Sequence, residues 1–231
     1  MSLLIFKKKK YKNPNKYIIK NNRFIRDFEK LYRNIDDPWN QKSFFEFSEQ
    51  FIFCISGLLN YLNKNKKKIS VLDVGAGSGI LKKYLNKNFQ YLGTDIHKKK
   101  MKNVIFDDIK ILNKSFINKY DLIFCLKTIY YVSDDIKLVL NNFKKYLKKN
   151  GLLIISYNLT KKSYSNKFLT DLKLRNLLNN HFKELFTIEI NREKYLKNKD
   201  EKMLGLLVWH FLFNSMLNHW VKTKKFKTRS K

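Results

Sequence analysis

Residues 71–80 read VLDVGAGSGI. Val71, Leu72 and Val74 suit a buried strand, and the glycines at 75, 77 and 79 end it. Glycines at alternate positions let a backbone turn sharply and come close to a ligand, because no Cβ stands in the way. The strand "ISVLDV" followed by a helix from about Gly79 to Asn86 makes the opening of a βα unit. In open α/β sheets the ligand lies beyond the carboxyl ends of the strands, which is where these glycines fall. The spacing is G-x-G-x-G; the dinucleotide fingerprint needs a glycine where Ile80 stands. No Lys-Ser or Lys-Thr follows at the spacing of a P-loop, which excludes that class.

Outward from this turn, short strands alternate with helices. "YLGTD" (91–95), "NVIFD" (103–107), "YDLIFCLK" (120–127) and "LLIISY" (152–157) read as strands. "SDDIKLVLNNFKKYLKKN" (133–150) is an amphipathic helix with Gly151 expected at its C-terminal cap. This alternation predicts a parallel sheet with helices on both faces. Further on, "FTIEIN" (186–191) alternates as a half-buried antiparallel strand would, with "LGLLVWHFLF" (204–213) as its hairpin partner. Before the sheet, "RFIRDFEKLYRN" (23–34) predicts a helix that ends ahead of Pro38. Phe44, Phe47, Phe51, Ile55, Leu58 and Leu62 then recur at helical spacing. The expected organisation is an ill-ordered basic segment (1–22), a helical cap (23–67), the α/β domain (68–213) and a basic tail (214–231).

The chain has 231 residues, 44% of them hydrophobic, which suits one sizeable core. No apolar run reaches the length of a membrane span, and the start, MSLLIFKKKK, lacks the order of a signal peptide. Cys54 and Cys125 sit in apolar segments and read as buried thiols, so a cytoplasmic setting is expected. The net charge is +30, from 49 Lys+Arg against 19 Asp+Glu. Taken alone this points to a polyanion partner. Arginine, the better phosphate fork, occurs only at 23, 26, 33, 175, 192 and 229. The excess of Lys, Asn and Ile fits an AT-biased genome, so nucleic-acid binding is discounted. His97, His181, His210 and His219 are scattered and no His/Cys/carboxylate cluster suggests a metal.

Asp73, just ahead of the turn, separates two nucleotide readings. A carboxylate there would repel a pyrophosphate and attract a ligand carrying an ammonium and a sulfonium. S-adenosylmethionine is such a ligand. "DVGAGSG" resembles the first motif of the class I S-adenosylmethionine-dependent methyltransferases, and the resemblance continues in order through "YLGTDI", "IFDDI" and "YDLIFCLKTIYYV". It implies a Rossmann-like, doubly wound, seven-stranded, mostly parallel sheet with an antiparallel C-terminal hairpin and an N-terminal helical cap. It also implies cofactor contacts at Asp73, Gly75, Ala76, Gly77, Gly79, Asp95, Ile96, Asp108, Ile109 and Leu126. Asp95 would hold the ribose hydroxyls, and Asp108 would accept from the adenine amino group. Ile109 would pack on the base or offer its amide. Backbone around Leu126 and Lys127 would lie near the methionine moiety, with Tyr130 and Tyr131 on the substrate side.

The absence of N-P-P-Y, D-P-P-Y and Pro-Cys motifs argues against adenine-N6 and cytosine-C5 enzymes. Asp37-Pro38-Trp39, between two helices, is similar to the cap of NodS-like methyltransferases of small molecules and sugar amines. On that reading Trp39 is a lid residue, while Tyr130, Tyr131 and Tyr157 line an acceptor pocket or simply pack. The expected activity is methyl transfer to N or O of a small molecule or glycan. An RNA methyltransferase and a non-catalytic cofactor-binding scaffold stay open as alternatives. No catalytic base is evident.

Overall fold

The computed structural model describes residues 13–21, 23–35, 38, 59, 67–97, 102–156 and 169–184. The chain divides into two units, Met1–Phe182 and Lys183–Lys231, and all but two of the described residues belong to the first.

The N-terminal part begins with a 3-10 turn, Pro14–Tyr17, which Asn13 caps through its side chain. Strands β1 (Ile19–Lys20) and β2 (Arg23–Phe24) then pair antiparallel. Asn21 takes a φ of +48° in the connection, a conformation Asn tolerates better than most residues. Helix α1 (Phe28–Asn34) comes next, with Asp27 accepting from the Lys30 amide at its start. Two expectations change here. Residues 13–21 are folded, with Ile18 only 1% exposed, although their polar composition suggested disorder. The helix begins at Phe28, because Arg23 and Phe24 are used in the hairpin.

The main sheet has five described strands: β3 (Ile69–Val74), β4 (Phe89–Asp95), β5 (Val104–Phe106), β6 (Tyr120–Leu126) and β7 (Leu147–Ser156). Their order is β5-β4-β3-β6-β7, and every pairing is parallel. The order reverses at β3, so the glycine turn sits at the topological switch point. Helix α2 (Leu81–Tyr84) succeeds β3, α3 (Ile136–Tyr146) joins β6 to β7, and α4 (Asp171–Asn179) comes after β7.

Strand period sorts the core into two layers. Leu72, Val74, Ile123 and Cys125 face one way, against Ile136, Val139, Leu140 and Phe143 of α3. Val71, Leu122 and Phe124 face the other, against Ile80, Leu81 and Leu85. The α3 positions step by three, one and three, so an apolar stripe faces the core, with the buried Asn142 beside it bonded to the Ile109 carbonyl. Burying each such side chain contributes about 1.5–3 kcal/mol.

Helix α3 ends earlier than the glycine at 151 predicts. Leu147 is already extended, and Lys148–Gly151 run on within β7. The β6–β7 register slips from Tyr120↔Leu147 to Leu122↔Leu152, and Asn150 takes φ +65° within that irregularity. Gly151 lies close against that irregularity, where a Cβ would stand 2.9 Å from Leu147 Cδ2 and 3.0 Å from the Lys148 carbonyl. The expected hairpin of residues 186–191 and 204–213, and the helix expected over 43–61 apart from Leu59, lie outside the described residues. Five strands are described where seven were expected.

Candidate functional site

The site grows from the end of β3. Gly75, Gly77 and Gly79 have φ values of +70°, +57° and +71°, so the alternate-glycine spacing is a backbone requirement. The turn is anchored to β4, with the amides of Gly75 and Ala76 both donating to the Thr94 carbonyl at 2.8 and 3.0 Å. A Cβ on Gly75 would stand 2.2 Å from Thr128 Oγ1, so the loop after β6 presses on the turn. A Cβ on Gly79 would meet Val104 Cγ2 at 2.9 Å. Gly93, which no sequence motif singled out, has the same need: a Cβ there would lie 2.9 Å from Ala76 Cβ, Tyr91 Oη and Val104 Cγ2.

Two acids lie inside this arrangement. Asp73 is 4% exposed and Asp95 6%. The Tyr91 hydroxyl donates to Asp73 Oδ2 at 2.8 Å. Burial pushes the Asp73 carboxyl up to about 7; the Tyr91 bond opposes that shift and the neighbouring Asp95 adds to it. Asp95 accepts from the Gly77 amide through Oδ2 at 2.8 Å and from the His97 amide through Oδ1 at 3.3 Å. Burial raises its carboxyl as well, against the pull of these bonds. Each oxygen of Asp95 retains acceptor capacity beyond the amide it holds. Two desolvated, mutually repelling carboxylates suit a cationic ligand with hydroxyl donors and oppose a pyrophosphate. The residues present therefore fit S-adenosylmethionine.

Further around the carboxyl edge, Asp108 is half-buried and its Oδ1 accepts from the Lys110 amide at 3.0 Å. Ile109 is in the main core, 8% exposed, and its carbonyl accepts from Asn142 Nδ2 at 2.9 Å. Ile96 is 41% exposed. Leu126 closes β6, and the next amide, Lys127, donates to Ser156 of β7 while its φ is +53°.

Tyr130 and Tyr131 come together, ring centroids 4.3 Å apart and hydroxyls 3.3 Å apart. Burial raises both phenols, which keeps them neutral at physiological pH. The N-terminal part closes on them. Arg26 Nε donates to the Tyr131 carbonyl at 2.7 Å, and its Nη2 meets Asp134 Oδ2 at 2.6 Å. Phe28 packs edge-on against Tyr131 at 5.5 Å. Tyr32 lies over His97, centroids 4.0 Å apart, just past the end of β4. Arg26, Phe28 and Tyr32, all within the expected cap, thus lie against the carboxyl edge. Trp39 and Tyr157 lie outside the described residues, and Pro38, between α1 and Trp39, is buried. Among the described residues no group of three or more His, Cys, Asp and Glu is placed to hold a metal ion. None of the described helices is long and apolar enough to cross a membrane. Cys125 is buried and unbridged.

A parallel sheet with this glycine turn and with acids at three successive strand ends defines the class of S-adenosylmethionine-dependent methyltransferases. The chain belongs to the methyltransferase-domain family, whose profile matches residues 47–214. It is similar to a ubiquinone biosynthesis O-methyltransferase of Rickettsia akari (strain Hartford), 27% identical over 128 residues, which is 49% of this chain and 50% of that one. A second curated relative, an uncharacterized protein of Methanocaldococcus jannaschii, is 30% identical over 136 residues, 57% of this chain and 59% of its own length. The chain thus spans between half and three fifths of the curated relatives it matches. Its fold is shared with the CurJ carbon methyltransferase, with a TM-score of 0.52 at 17% identity over 70% of this chain and 56% of that one.

Proposed function

We propose that this protein transfers a methyl group to a nitrogen or oxygen of a small molecule or glycan, in a pocket at the carboxyl edge of the sheet. S-adenosylmethionine supplies a methyl group on a positively charged sulfur. Asp73 attracts the cationic end of the cofactor, and the glycine turn with Ala76 lets the backbone approach it. The remaining lone pairs of Asp95 accept the two ribose hydroxyls. Asp108 accepts from the adenine amino group. Since the Ile109 side chain is in the core, its part is left to the backbone. Ile96 and the backbone at Leu126 complete the wall.

The observation that carries the small-acceptor reading is the cap. Arg26, Phe28 and Tyr32 hold down the loop after β6 and the end of β4, which narrows approach to the carboxyl edge. An aromatic cap over the carboxyl edge suits a compact acceptor better than a folded macromolecule. Tyr130 and Tyr131, held neutral by burial, orient the acceptor by hydrogen bonding and stacking and do not remove its proton. Positioning the acceptor in line can supply roughly 7–11 kcal/mol of the barrier, so the reaction asks for little other chemistry. Trp39 and Tyr157 would add to the same enclosure.

The test is transfer of labelled methyl from S-adenosylmethionine into extract of cells that carry this gene, split into small-molecule, glycan, protein and RNA fractions. The proposal expects label in the first two. Label in RNA would replace it with a nucleic-acid methyltransferase. Cofactor binding with no label anywhere would leave a non-catalytic cofactor-binding protein.

A further inference from the structure

The charge of this protein is not spread evenly over its described surface. In a parallel sheet all strands begin at one edge and end at the other. Asp73, Asp95, Asp107, Asp108, Asp134 and Asp135 gather at the carboxyl edge, around the site. The opposite, amino edge is built from residues 67–70, 86–89, 113–121 and 143–151, which carry many lysines and a single acid, Asp121. Asp121 is already engaged: its Oδ2 accepts from the Ser70 amide at 2.8 Å, from Ser70 Oγ at 2.6 Å and from Lys148 Nζ at 2.9 Å.

Hydrogen bonds join these four segments into one surface. The Ile69 amide donates to the Asn88 carbonyl at 3.0 Å. Ser70 Oγ accepts from the Asp121 amide at 3.1 Å. The amides of Asn118 and Lys119 donate to the carbonyls of Lys145 and Tyr146 at 2.9 and 3.1 Å. Lys68, Lys87, Lys119, Lys145, Lys148 and Lys149 are all exposed on it. Among the described residues the amino edge thus sets nine lysines against one acid, while the carboxyl edge mixes its six acids with Arg26, Lys110 and Lys127.

We propose that the amino edge of the sheet is a docking surface for nucleic acid, gripping the phosphodiester backbone without reading sequence. Lysines are compact point charges, and no arginine stands on these segments to offer the planar fork used for directed contacts. Faces that bind bilayers mix apolar side chains among their cations. Here Ile117 is the one large apolar side chain exposed on these segments. The six residues of β3 separate this edge from the carboxyl edge by roughly 20 Å at the rise of a strand. The docked strand therefore stays clear of the transfer pocket, and the surface tethers the protein to a polyanion while the acceptor enters from the other side. The proposal does not depend on the acceptor or on the cofactor.

The experiment is fluorescence anisotropy with a labelled single-stranded RNA of about 20 nucleotides and the full chain, across a salt series from about 50 to 200 mM. The K119Q/K145Q/K149Q variant should bind at least tenfold more weakly at the lowest salt. Its log–log salt slope should fall by about 2, since each lost contact to single-stranded RNA removes about 0.7. K119R/K145R/K149R should retain binding, and thermal melts of both variants should match the parent. K30Q/K137Q/K173Q removes the same charge elsewhere and should leave binding within twofold. Equal loss in the two glutamine variants would reduce the effect to net charge and overturn the proposal. So would an unmodified chain that fails to bind RNA at the lowest salt, or one that binds phosphatidylserine vesicles and not RNA.

Discussion

Asp73 offers the sharpest test, because its two roles respond to pH with opposite signs. Its carboxyl sits in the folded protein at about 7, against 3.8 for the free side chain, chiefly because it is buried. Between roughly pH 4 and pH 7 the folded form holds a proton that the unfolded chain has released. Stability must then fall as pH rises through that window, by an amount on the order of 4 kcal/mol for a shift of about three units. Binding of a cationic ligand needs the ionised form and must strengthen over the same change. With a midpoint near 7, Asp73 is about one-tenth ionised at pH 6 and about three-quarters ionised at pH 7.5. Calorimetric Kd values for S-adenosylmethionine should therefore tighten by about eightfold, or ~1.2 kcal/mol, between those pH values. Asp73→Asn keeps an acceptor for the Tyr91 hydroxyl but should remove the slope. Tyr91→Phe removes the one bond that holds the carboxyl down, and should move the midpoint to higher pH. An unmodified protein whose affinity stays within twofold from pH 6 to 7.5, or an Asn variant with the parental slope, would refute the assignment of Asp73 as the cation's counter-charge.

Three further outcomes are expected. Asp95→Ala should weaken cofactor binding by about 1.5–3 kcal/mol, the range for hydrogen bonds to a charged group, and unchanged affinity in titration would remove Asp95 from the ribose site. Arg26→Ala breaks the tie between the cap and the Tyr131 loop; since Asp134 is 70% exposed, the ion pair itself contributes under about 1 kcal/mol. Acceptor KM should rise while the melting temperature barely moves, and a large drop in melting temperature with unchanged KM would make the contact purely structural. Thr94 is fully buried and its hydroxyl has no hydrogen-bond partner among the described residues. Thr94→Val should accordingly stabilise the fold by about 1 kcal/mol in denaturant titration, and a loss of stability would mean that the hydroxyl has a partner.

The sequence by itself determined the βα frame and the glycine turn that ends β3. The near-continuous apolar runs of β3 and β6 are the physical signature of a sheet covered on both faces, and their side chains divide between the two core layers. The alternate glycines were legible because only a left-handed backbone demands that spacing, and all three adopt it. The placing of Asp95 and Asp108 at strand ends was legible because a parallel sheet sets all its carboxyl ends along one edge. Other features depend on contacts between segments far apart in the chain, which no local pattern encodes. Gly93 is small because Ala76 of the turn after β3 and Val104 of β5 crowd it, along with Tyr91 of its own strand. The Ile109 side chain turns into the core because α3 packs there, and Asn142 of that helix takes its carbonyl. Gly151 serves a strand irregularity, since the extended conformation at Leu147 ends α3 first. The polar stretch 13–21 folds because Ile18 finds a buried position, and the Arg26–Tyr131 and Tyr32–His97 contacts fasten the adjoining segment to the sheet. The lysine-rich amino edge also became visible only in three dimensions, because strand starts are scattered along the chain and meet only when the strands lie side by side.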